Sequence, residues 1–469
     1  MKRAFALTDV LEGLPEALGS LLERVAQASV AQDVRIHLVG GPVRDLVLGR
    51  EIVDVDLVVE GDARGLARAV LDQAGADAFE VTSHERFGTV RIDAGDARID
   101  LARMRHETYA HPGALPEVFP GTLEQDMARR DFGINAMALL LDARDPDRAN
   151  PIFDPEGGLD DLEQRRIRIL HPMSFHDDPT RAWRAARFAA RLGFRVDRRS
   201  RNVMRDALRD GAFGAVSGER FRRELQSTFE EARRGVHAGQ VLRSLSDWHV
   251  LSALEPGLTL GPDRMLPLRR LSRAIERPEW PAPRYRPWIA GLSIWLAPLP
   301  AALRRRTLER FSIRGEQAAR IVRFGRDADR MLRGLARARG RGAVDSALAD
   351  LSEETVQALY ALAGGAVRRR ILRWGAEDRR RRAPVGGADL AELGLTGPDV
   401  GRALARIRAG FLDGEIANRE EALALAEEIA KRASRRKPGA SGRGRRGRRT
   451  RASEVAPKGV IADTPGDTG

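Results

Sequence analysis

Hydrophobic and polar positions change their spacing after the first third of the chain. In that first third, apolar residues alternate or form short runs in VRIHLVGG, VDVDLVVEG, AFEVTS, GTVRID and ARIDLAR, which predicts β-strands. Afterwards they recur every three or four positions in DPTRAWRAARFAARLGF, GERFRRELQSTFEEA, RRTLERFSI and REEALALAEEIAKRA, which predicts amphipathic helices. We therefore expect an α+β fold, with a small sheet domain leading a long all-helical remainder.

Length and composition agree with several soluble domains. The chain has 469 residues, 42% of them apolar, and prolines at 281, 283 and 287 interrupt its helical part. It has no cysteine, which excludes disulfides and thiolate metal sites. Because no signal-peptide-like run and no long apolar stretch occurs, we predict neither secretion nor a membrane span, and a cytoplasmic location.

A glycine turn follows the first predicted strand. VRIHLVGG ends at Gly40 and Gly41, and Pro42 is suited to begin a short helix that Gly49 ends. A strand, a glycine turn and a helix N-terminus present free backbone N–H groups to a triphosphate. The nucleotide-binding residues predicted at this turn are Gly40 and Gly41, with Arg44 and Asp45 in the first turn of the helix.

Two aspartates one residue apart follow this turn. In an extended strand Asp54 and Asp56 lie on the same face, and we expect Val53, Val55 and Leu57 to point into the core. Neighbouring carboxylates repel unless a cation lies between them, and Mg²⁺ bound by one or two carboxylates and substrate phosphates is a common arrangement. The pair predicts phosphoryl or nucleotidyl transfer, although an isolated pair of this kind is also typical of a solvated edge strand.

Two further clusters fit the same site. Asp100, in ARIDLAR, lies on the strand next in line and is a candidate third carboxylate that eases deprotonation of an attacking hydroxyl. In DMARRDFGINAMALLL, polar groups suited to a ribose hydroxyl and a phosphate precede an apolar segment, namely Arg129, Arg130, Asp131 and Asn135. A helix N-terminus with ordinary surface charges would look similar.

The segment HDDPTRAWRAARFAARLGF bears on base specificity. Asp178 is a plausible N-cap with Pro179 at the first helical position, and a basic stripe follows at Arg181, Arg184, Arg187 and Arg191. A carboxylate and a guanidinium one turn apart can accept from the exocyclic amine of C or A and donate to the same base edge. Such a site rejects U and G; the alternative is a simple cap and a solvated face.

Positive charge is concentrated near the C-terminus. The net charge is +13, but eleven basic and no acidic residues lie between Lys431 and Arg451, so the rest of the chain carries +2. With glycine, serine and proline interleaved, residues 431–469 are predicted to be a disordered arm that binds a polyanion without sequence preference. A solubilising or ribosome-binding tail is the alternative.

Five motifs occur in order within residues 36–230: GGPVRDLVLG with VDVDLV, RRDFGINAMA, DPEGGLDDL, DDPTRAWRAARFAARLGF and GERFRREL. Together they resemble the class II tRNA nucleotidyltransferase and bacterial poly(A) polymerase family. The resemblance implies a polymerase-β-like nucleotidyltransferase head with a small mixed sheet, joined near 154–158 to all-helical neck, body and tail domains. The predicted boundaries are head 20–145, neck 146–255, body 256–380, tRNA-binding tail 381–430 and basic tail 431–469.

The resemblance also assigns roles to residues of the head. Asp54 and Asp56 match the positions that hold two Mg²⁺ ions, and Arg130 and Asp131 match positions that handle the ribose. Gly133 departs from the family, which usually has threonine there, and we expect a looser turn behind the ribose site. We do not expect this departure to prevent catalysis.

In the predicted neck, Asp178 and Arg181 match the amino-acid template for CTP and ATP. Glu219 and Arg220 match a helix that supports the template, and Asp177 replaces a usual glutamate while keeping a carboxylate. Taken together, the predicted catalytic residues are Asp54, Asp56 and Asp100. The predicted nucleotide-binding residues are Gly40, Gly41, Arg44, Asp45, Arg130, Asp131, Asn135, Asp178, Arg181, Arg184 and Arg187.

The implied reaction is template-independent nucleotidyl transfer, in which an RNA 3′ hydroxyl attacks the α-phosphate of CTP or ATP and pyrophosphate leaves. The expected partners are the 3′ end and elbow of tRNA, with Mg²⁺ as cofactor and neither DNA nor a membrane. Addition of CCA, of CC alone, of the terminal A, or of poly(A) all remain open. Residues 103–125 are predicted to form a loop in which these activities diverge. A non-catalytic RNA-binding protein and a small-molecule nucleotidyltransferase are further alternatives.

Overall fold

A computed structural model describes residues 2–74, 79–84, 88–109, 111, 113–114, 116–275 and 286–436. The chain separates into two compact units, residues 1–382 and 383–469. The finer division of the first unit into head, neck and body stays a prediction. Pro281 and Pro283 lie outside the described residues, whereas Pro287 begins a helix.

A six-stranded mixed sheet organises the front of the first unit, in the order β4-β5-β6-β3-β2-β9. Neighbouring strands are antiparallel except β3 and β6, which pair in parallel with Asp56 opposite Asp100. The strands are β2 (Ile36–Val39), β3 (Val55–Val59), β4 (Glu80–His84), β5 (Thr89–Ala94), β6 (Ala97–Arg103) and β9 (Ala138–Leu141). The fold class, a mixed sheet followed by helices, is confirmed.

Both faces of this sheet are covered, which explains why β2 is buried along its whole length. On one face Ile36, Leu38 and Leu57 join the main core beneath two helices; on the other, Val39 and Val58 pack with methionines in a smaller cluster. Asp56 shares the face of Val58. The helices of this region are α1 (Leu7–Glu12), α2 (Glu16–Ala31), α3 (Gly41–Val47), α4 (Ala63–Ala74), α5 (Leu123–Ala128) and α6 (Gly158–Glu163).

Several short strands were not predicted. Residues 103–125, expected as a loop, contain a hairpin, and β9 lies in a segment recognised only as apolar. Two strands beyond residue 160 also contradict the expectation that strands end with the first third. The additional strands are β1 (Ala4–Phe5), β7 (Arg105–Thr108), β8 (Glu117–Pro120), β10 (Asn150–Pro151), β11 (Arg166–Ile167) and β12 (Arg195–Val196).

The rest of the first unit is helical, and a single apolar core runs through it. Trp183 and Trp295 are among its largest fully buried side chains. The helices are α7 (Ser174–Asp177), α8 (Arg181–Leu192), α9 (Arg198–Arg209), α10 (Ala212–Ala215), α11 (Gly218–Glu230), α12 (Ala238–Asp247), α13 (Val250–Leu254), α14 (Met265–Ile275), α15 (Pro287–Leu296), α16 (Ala301–Arg310), α17 (Gly315–Arg337), α18 (Gly340–Leu348), α19 (Glu353–Leu362) and α20 (Gly365–Ala376).

Short 3-10 helices connect some of these elements, at Gly133–Asn135, Glu231–Arg234, Pro262–Arg264 and Asp378–Arg380. No helix in the described part of the chain has both the length and the apolarity to cross a bilayer. The cytoplasmic location stays a prediction.

The second unit has its own small core of α21 (Gly387–Glu392), α22 (Pro398–Asp413) and α23 (Arg419–Arg436). The predicted disordered tail was placed six residues too early, because α23 continues through Arg436. Ion pairs one helical turn apart, Glu427 with Lys431 and Glu428 with Arg432, support this extension. The remainder of the predicted tail, residues 437–469, lies outside the described residues.

Candidate active site

The first unit contains a cleft of about 820 Å³ between the sheet domain and the helices that follow it. Twelve arginines and seven carboxylates are among the described residues that line it. All the predicted site residues except Asp100 lie along this cleft. Sequence positions as far apart as Gly40 and Arg187 are therefore brought to one place.

The glycine turn forms one wall. Gly40 has φ of +76°, which favours glycine, and a Cβ there would lie 2.6 Å from Nη1 of Arg130, so that guanidinium would have to shift. The helix predicted after it is α3, which begins at Gly41 and has Pro42 in its first turn. Gly49, with φ of +63°, ends it as predicted.

Asp54 and Asp56 lie at the start of β3 and line the same cleft. Val55 and Leu57 are buried as expected, but Val53 is 56% exposed, so its prediction as a core residue is wrong. The reason is that β3 begins only at Val55, and the pleat that would turn Val53 inward is not formed.

The surroundings of Asp56 disfavour the ionised form of its carboxyl group. Solvent reaches it through the cleft, but desolvation by the surrounding protein and the charges of Asp100 and Asp54 raise its pKa to about 6, against a smaller opposing effect of Arg130. A raised carboxyl pKa means that negative charge is crowded at this place. A bound cation would relieve it.

Asp100 is not in the main cleft but in an adjoining cavity of which Asp56 is also part. The β5–β6 ladder places Arg91 opposite Asp100, and Arg91 donates to both carboxylate oxygens, at 2.8 and 3.2 Å. The third predicted carboxylate is therefore next to Asp56 but already paired. Its role in catalysis stays a prediction.

The aspartates fit a divalent ion by the chemistry of their donors. Within the described residues no three or more histidine, cysteine, aspartate or glutamate side chains are gathered as a metal site. Asp54 and Asp56 supply carboxylate oxygens only, which suits a hard ion whose remaining ligands come from substrate and water. Arg234 donates to Oδ2 of Asp54 at 2.9 Å, so a protein cation contacts one of the two carboxylates.

A chain of polar contacts joins the glycine turn to α8. Buried Arg44 donates twice to Asp45, at 2.9 and 2.8 Å, and once to Asn135 at 2.7 Å. Asn135 donates to Asp131 at 3.0 Å, and Arg184 donates to Asp131 at 2.7 Å. These predicted ligands thus also form the polar contacts that connect the two walls of the cleft.

The charges in this chain stabilise one another. Burial acts to raise the pKa of Asp131, but the Arg184 charge and the hydrogen bonds from Asn135 and Arg184 outweigh it and lower the pKa. The pKa of Arg184 is raised, chiefly by Asp131. Both groups therefore stay charged.

Sequence reasoning missed Asp126, which is fully buried beneath the RRDF segment. It accepts from Arg129 at 2.9 Å and from Arg130 at 3.0 Å, and these charges lower its pKa despite the opposing effect of burial. Its spacing of three and four residues from the two arginines at the end of α5 was an available signal.

Asp178 lies on the opposite wall, where one of its oxygens is fully engaged. Oδ1 accepts from the backbone N–H of Thr180 at 2.9 Å and from its hydroxyl at 2.6 Å, and it forms an ion pair with Arg220 at 2.7 Å. Among the described residues no hydrogen bond ends on Oδ2. Asp178 therefore has one oxygen held and one available in the cleft.

The helix that follows starts later than predicted. We expected Asp178 to cap a helix beginning at Pro179, but α8 begins at Arg181. Its first turn is closed by i→i+3 bonds, from Arg181 to Asp178 and from Ala182 to Pro179, so that turn is 3-10 in character. The bond from Thr180 N–H to the Asp178 side chain is still a capping contact.

The arginine stripe of α8 is not a solvated face. Arg181 is buried and donates to the Ser174 hydroxyl at 2.7 Å and to the Arg129 carbonyl at 3.1 Å. Ion pairs hold Arg187 to Glu224 and Glu231, and Arg191 to Glu231. Many of the donors predicted for a nucleotide are thus committed to the protein.

Several residues lining the cleft, among them Tyr109, Glu107 and Arg234, were not predicted as site residues. Tyr109 and Glu107 come from the segment expected to diverge in specificity, and the Tyr109 hydroxyl donates to Glu107 at 3.1 Å. Burial, followed by the Glu107 charge, raises the pKa of Tyr109 to about 12. Arg234, which contacts Asp54 across 180 positions of sequence, had no local signal at all.

Comparisons with known proteins agree with this geometry. Residues 36–168 match the family described as Poly A polymerase head domain. Over 423 residues the chain is 32% identical to the A-adding tRNA nucleotidyltransferase of Halalkalibacterium halodurans, covering 87% of this chain and 92% of that protein. The chain belongs to the tRNA nucleotidyltransferase and poly(A) polymerase family.

Other members of the family match in different proportions. The A-adding tRNA nucleotidyltransferase of Geobacter sulfurreducens is 31% identical over 89% of this chain, which spans 48% of that protein, about half of its length. Proteins named CC-adding tRNA nucleotidyltransferase and Multifunctional CCA protein match 49% and 48% of this chain. The Thermotoga maritima CCA-adding enzyme complexed with tRNA is similar in fold, with a TM-score of 0.67, 26% identity and coverage of 92% of this chain and 100% of that one.

Proposed function

We propose that this member of the family transfers CMP or AMP from CTP or ATP to the 3′ end of a tRNA. One observation carries the proposal: Asp54 and Asp56 share a single cleft with Asp178, whose Oδ2 is available. The cleft therefore combines a place for nucleotidyl transfer with a group that can read a base. Similar solved structures are of CCA-adding enzymes in complex with tRNA, ATP or CTP.

In this proposal the nucleotide lies with its phosphates towards Gly40, Gly41 and the N-terminus of α3, where the first-turn N–H groups favour negative charge. Its base lies towards Asp178, and the ribose lies between them, near Asp131. When bound, Mg²⁺ on Asp54 and Asp56 would activate the RNA 3′ hydroxyl and neutralise the charge of the leaving phosphates.

Base selection follows from the free oxygen of Asp178. As a carboxylate it accepts hydrogen bonds only, so it pairs with the exocyclic amine of cytosine or adenine and is repelled by the carbonyl of uracil or guanine. Arg220 and Thr180 hold the other oxygen, which fixes the plane of the carboxylate. No nucleic-acid template is needed.

Addition of the terminal A alone is the second candidate. The observation that favours it is the length of the sequence matches: two proteins named A-adding match 87% and 89% of this chain, whereas a third matches 43% and those named CC-adding and Multifunctional CCA match about half. The cleft itself contains nothing that separates the two activities, because both need recognition of an amino-bearing base.

The test uses tRNA transcripts that end before CCA, after C and after CC, each incubated with one nucleotide at a time. CCA addition extends all three, whereas an A-adding enzyme uses only the CC-ended transcript with ATP. Repeated addition of A to an unrelated RNA would instead indicate a poly(A) polymerase. Failure to extend any RNA, despite binding it, would refute the proposed function.

We predict that Asp54→Ala and Asp56→Ala each abolish incorporation while tRNA binding stays within a few-fold, since these carboxylates serve the chemistry and not the RNA body. Incorporation is measured with radiolabelled ATP and CTP, and RNA binding by filter retention. Asp206→Ala, on the exposed surface of α9, is the matched control. Near-normal incorporation by either cleft variant would contradict the assignment.

A further inference from the structure

Two arginines at the cleft have no role in the reaction proposed above. Arg233 and Arg234 lie at the end of the 3-10 helix Glu231–Arg234, between α11 and α12. The start of that helix is anchored, because buried Glu231 pairs with Arg187 and Arg191. The backbone of this segment is thus held in place while the two exposed arginine side chains extend along the cleft.

The contact that Arg234 makes is easily exchanged. Its guanidinium lies 2.9 Å from Oδ2 of Asp54, with the two side chains 37% and 70% exposed. Exposed ion pairs of this kind contribute little to stability. Asp54 is also one of the two carboxylates proposed to hold a divalent ion. A guanidinium and a divalent ion at the same oxygen repel each other, so binding of the ion releases Arg234.

Two further arginines of the cleft, Arg233 and Arg50, have no carboxylate partner among the described residues. Arg233 has no ion-pair or hydrogen-bond partner among the residues that the structure describes. Arg50, in the same cleft, contacts only the carbonyl oxygen of Arg191, at 3.4 Å. The other arginines of the cleft are engaged by carboxylates or by neutral oxygens. An anionic ligand would therefore find unmatched positive charge here, beside the aspartate pair.

We propose that Arg233 and Arg234 bind the terminal phosphates of the incoming nucleoside triphosphate, and that Arg234 moves from Asp54 to a phosphate when a divalent ion occupies Asp54. This inference rests on the proposed function. A guanidinium is suited to the exchange because its planar donors match carboxylate and phosphate oxygens alike. The same side chain then neutralises Asp54 without substrate and contributes to nucleotide binding with it.

The two roles predict opposite effects of one substitution. Arg234→Gln removes the charge that competes for Asp54, so it should strengthen metal binding in the absence of nucleotide. It also removes a charged phosphate ligand, so it should weaken nucleotide binding. Arg233→Gln should weaken nucleotide binding alone, because Arg233 does not contact Asp54. If the ion pair merely held Asp54 in position, breaking it by Arg234→Gln would weaken metal binding instead.

The experiment uses the full chain and Mn²⁺ as the probe. Binding of Mn²⁺ without nucleotide is followed by the loss of the free-ion EPR signal, and KM for ATP, CTP and tRNA is measured at saturating metal. For Arg234→Gln we expect Mn²⁺ binding several-fold tighter and a nucleotide KM raised about tenfold, the size of a charge-assisted hydrogen bond. KM for tRNA should not change. Arg209→Gln, which breaks an exposed ion pair with Asp206 on α9, is the matched control.

Three results would overturn the inference. Mn²⁺ affinity that is unchanged or lowered in Arg234→Gln would show that this side chain does not compete with the metal. An unchanged nucleotide KM in both variants would show that neither arginine binds phosphate, and a raised KM for tRNA alone would assign them to the RNA. The wild-type chain separates these cases from failure of the proposed function, since in that event it would incorporate no nucleotide.

Discussion

Replacing Asp178 with asparagine tests whether this side chain reads a base or only caps a helix. Oδ1 of Asp178 accepts from the N–H and the hydroxyl of Thr180 and lies in an ion pair with the guanidinium of Arg220. In the Asp178→Asn variant the amide oxygen must take that position, because an amide nitrogen would there face the N–H groups of Thr180 and Arg220. The amide nitrogen is then placed where Oδ2 was, in the cleft.

The magnitude follows from this geometry. A donor in place of an acceptor loses the amine of C and A and gains the carbonyl of U and G, and a good base contact is worth about 1–3 kcal/mol, or roughly 5- to 150-fold in selectivity. The capping bond survives, since asparagine caps about as well as aspartate. Loss of the half-buried ion pair with Arg220 costs about 1 kcal/mol of stability.

The assay measures kcat/KM for all four nucleotides with a CC-ended and a CCA-lacking tRNA, together with thermal unfolding. Arg220→Gln is the control, because it weakens the same ion pair but leaves the carboxylate as an acceptor. We expect UTP and GTP to gain on ATP and CTP in Asp178→Asn and not in Arg220→Gln. Equal selectivity in the wild type and Asp178→Asn would leave Asp178 as a capping residue and refute this reading of the site.

Three further predictions concern metal binding, the glycine turn and the basic tail. Because the pKa of Asp56 is raised to about 6, its carboxyl is protonated below that pH in the metal-free state, and a metal must displace the proton. Mn²⁺ affinity, measured by EPR, should therefore fall by up to about tenfold per pH unit below pH 6. An affinity that is constant from pH 5 to 7 would contradict the raised pKa. Gly40→Ala should weaken ATP binding without RNA, because its Cβ would displace the guanidinium of Arg130. Gly49→Ala, at the other end of α3 with φ of +63° and open space, should weaken it less; equal losses in calorimetry would attribute the effect to the backbone alone. Removing residues 437–469 should lower RNA affinity and flatten its salt dependence in filter binding, and an unchanged slope would show that the basic tail does not touch RNA.

Features fixed by neighbouring residues were predictable from the sequence. The strand that ends at Gly40, the helix that Gly49 stops and the buried alternation after Val55 all appear where the pattern predicts them. Each depends on local rules: φ above zero favours glycine, and alternation in a strand buries every second residue. The errors at Val53 and in the start of α8 arose where the regular element began later than its pattern.

The contacts between distant segments were not predictable in the same way. Arg44 and Asn135 are 91 residues apart, and Arg234 and Asp54 are 180 apart, and no spacing rule connects them. The residue types were recognised as suited to a nucleotide because guanidiniums and carboxylates bind phosphate and ribose. The same chemistry makes them suited to each other, and only the packed structure shows which of the two they do.

This distinction changes how the arginines of the cleft are interpreted. Arg44, Arg181 and Arg187 are buried or nearly so, and protein oxygens take most of their donors, so their substitution should first disturb the shape of the cleft. Arg234 has one exchangeable partner and Arg233 has none in the described part of the chain, so they remain free for substrate. Substitution of the buried arginines should therefore lower stability, whereas substitution of Arg233 or Arg234 should raise the nucleotide KM. Stability must be measured beside activity for every arginine variant.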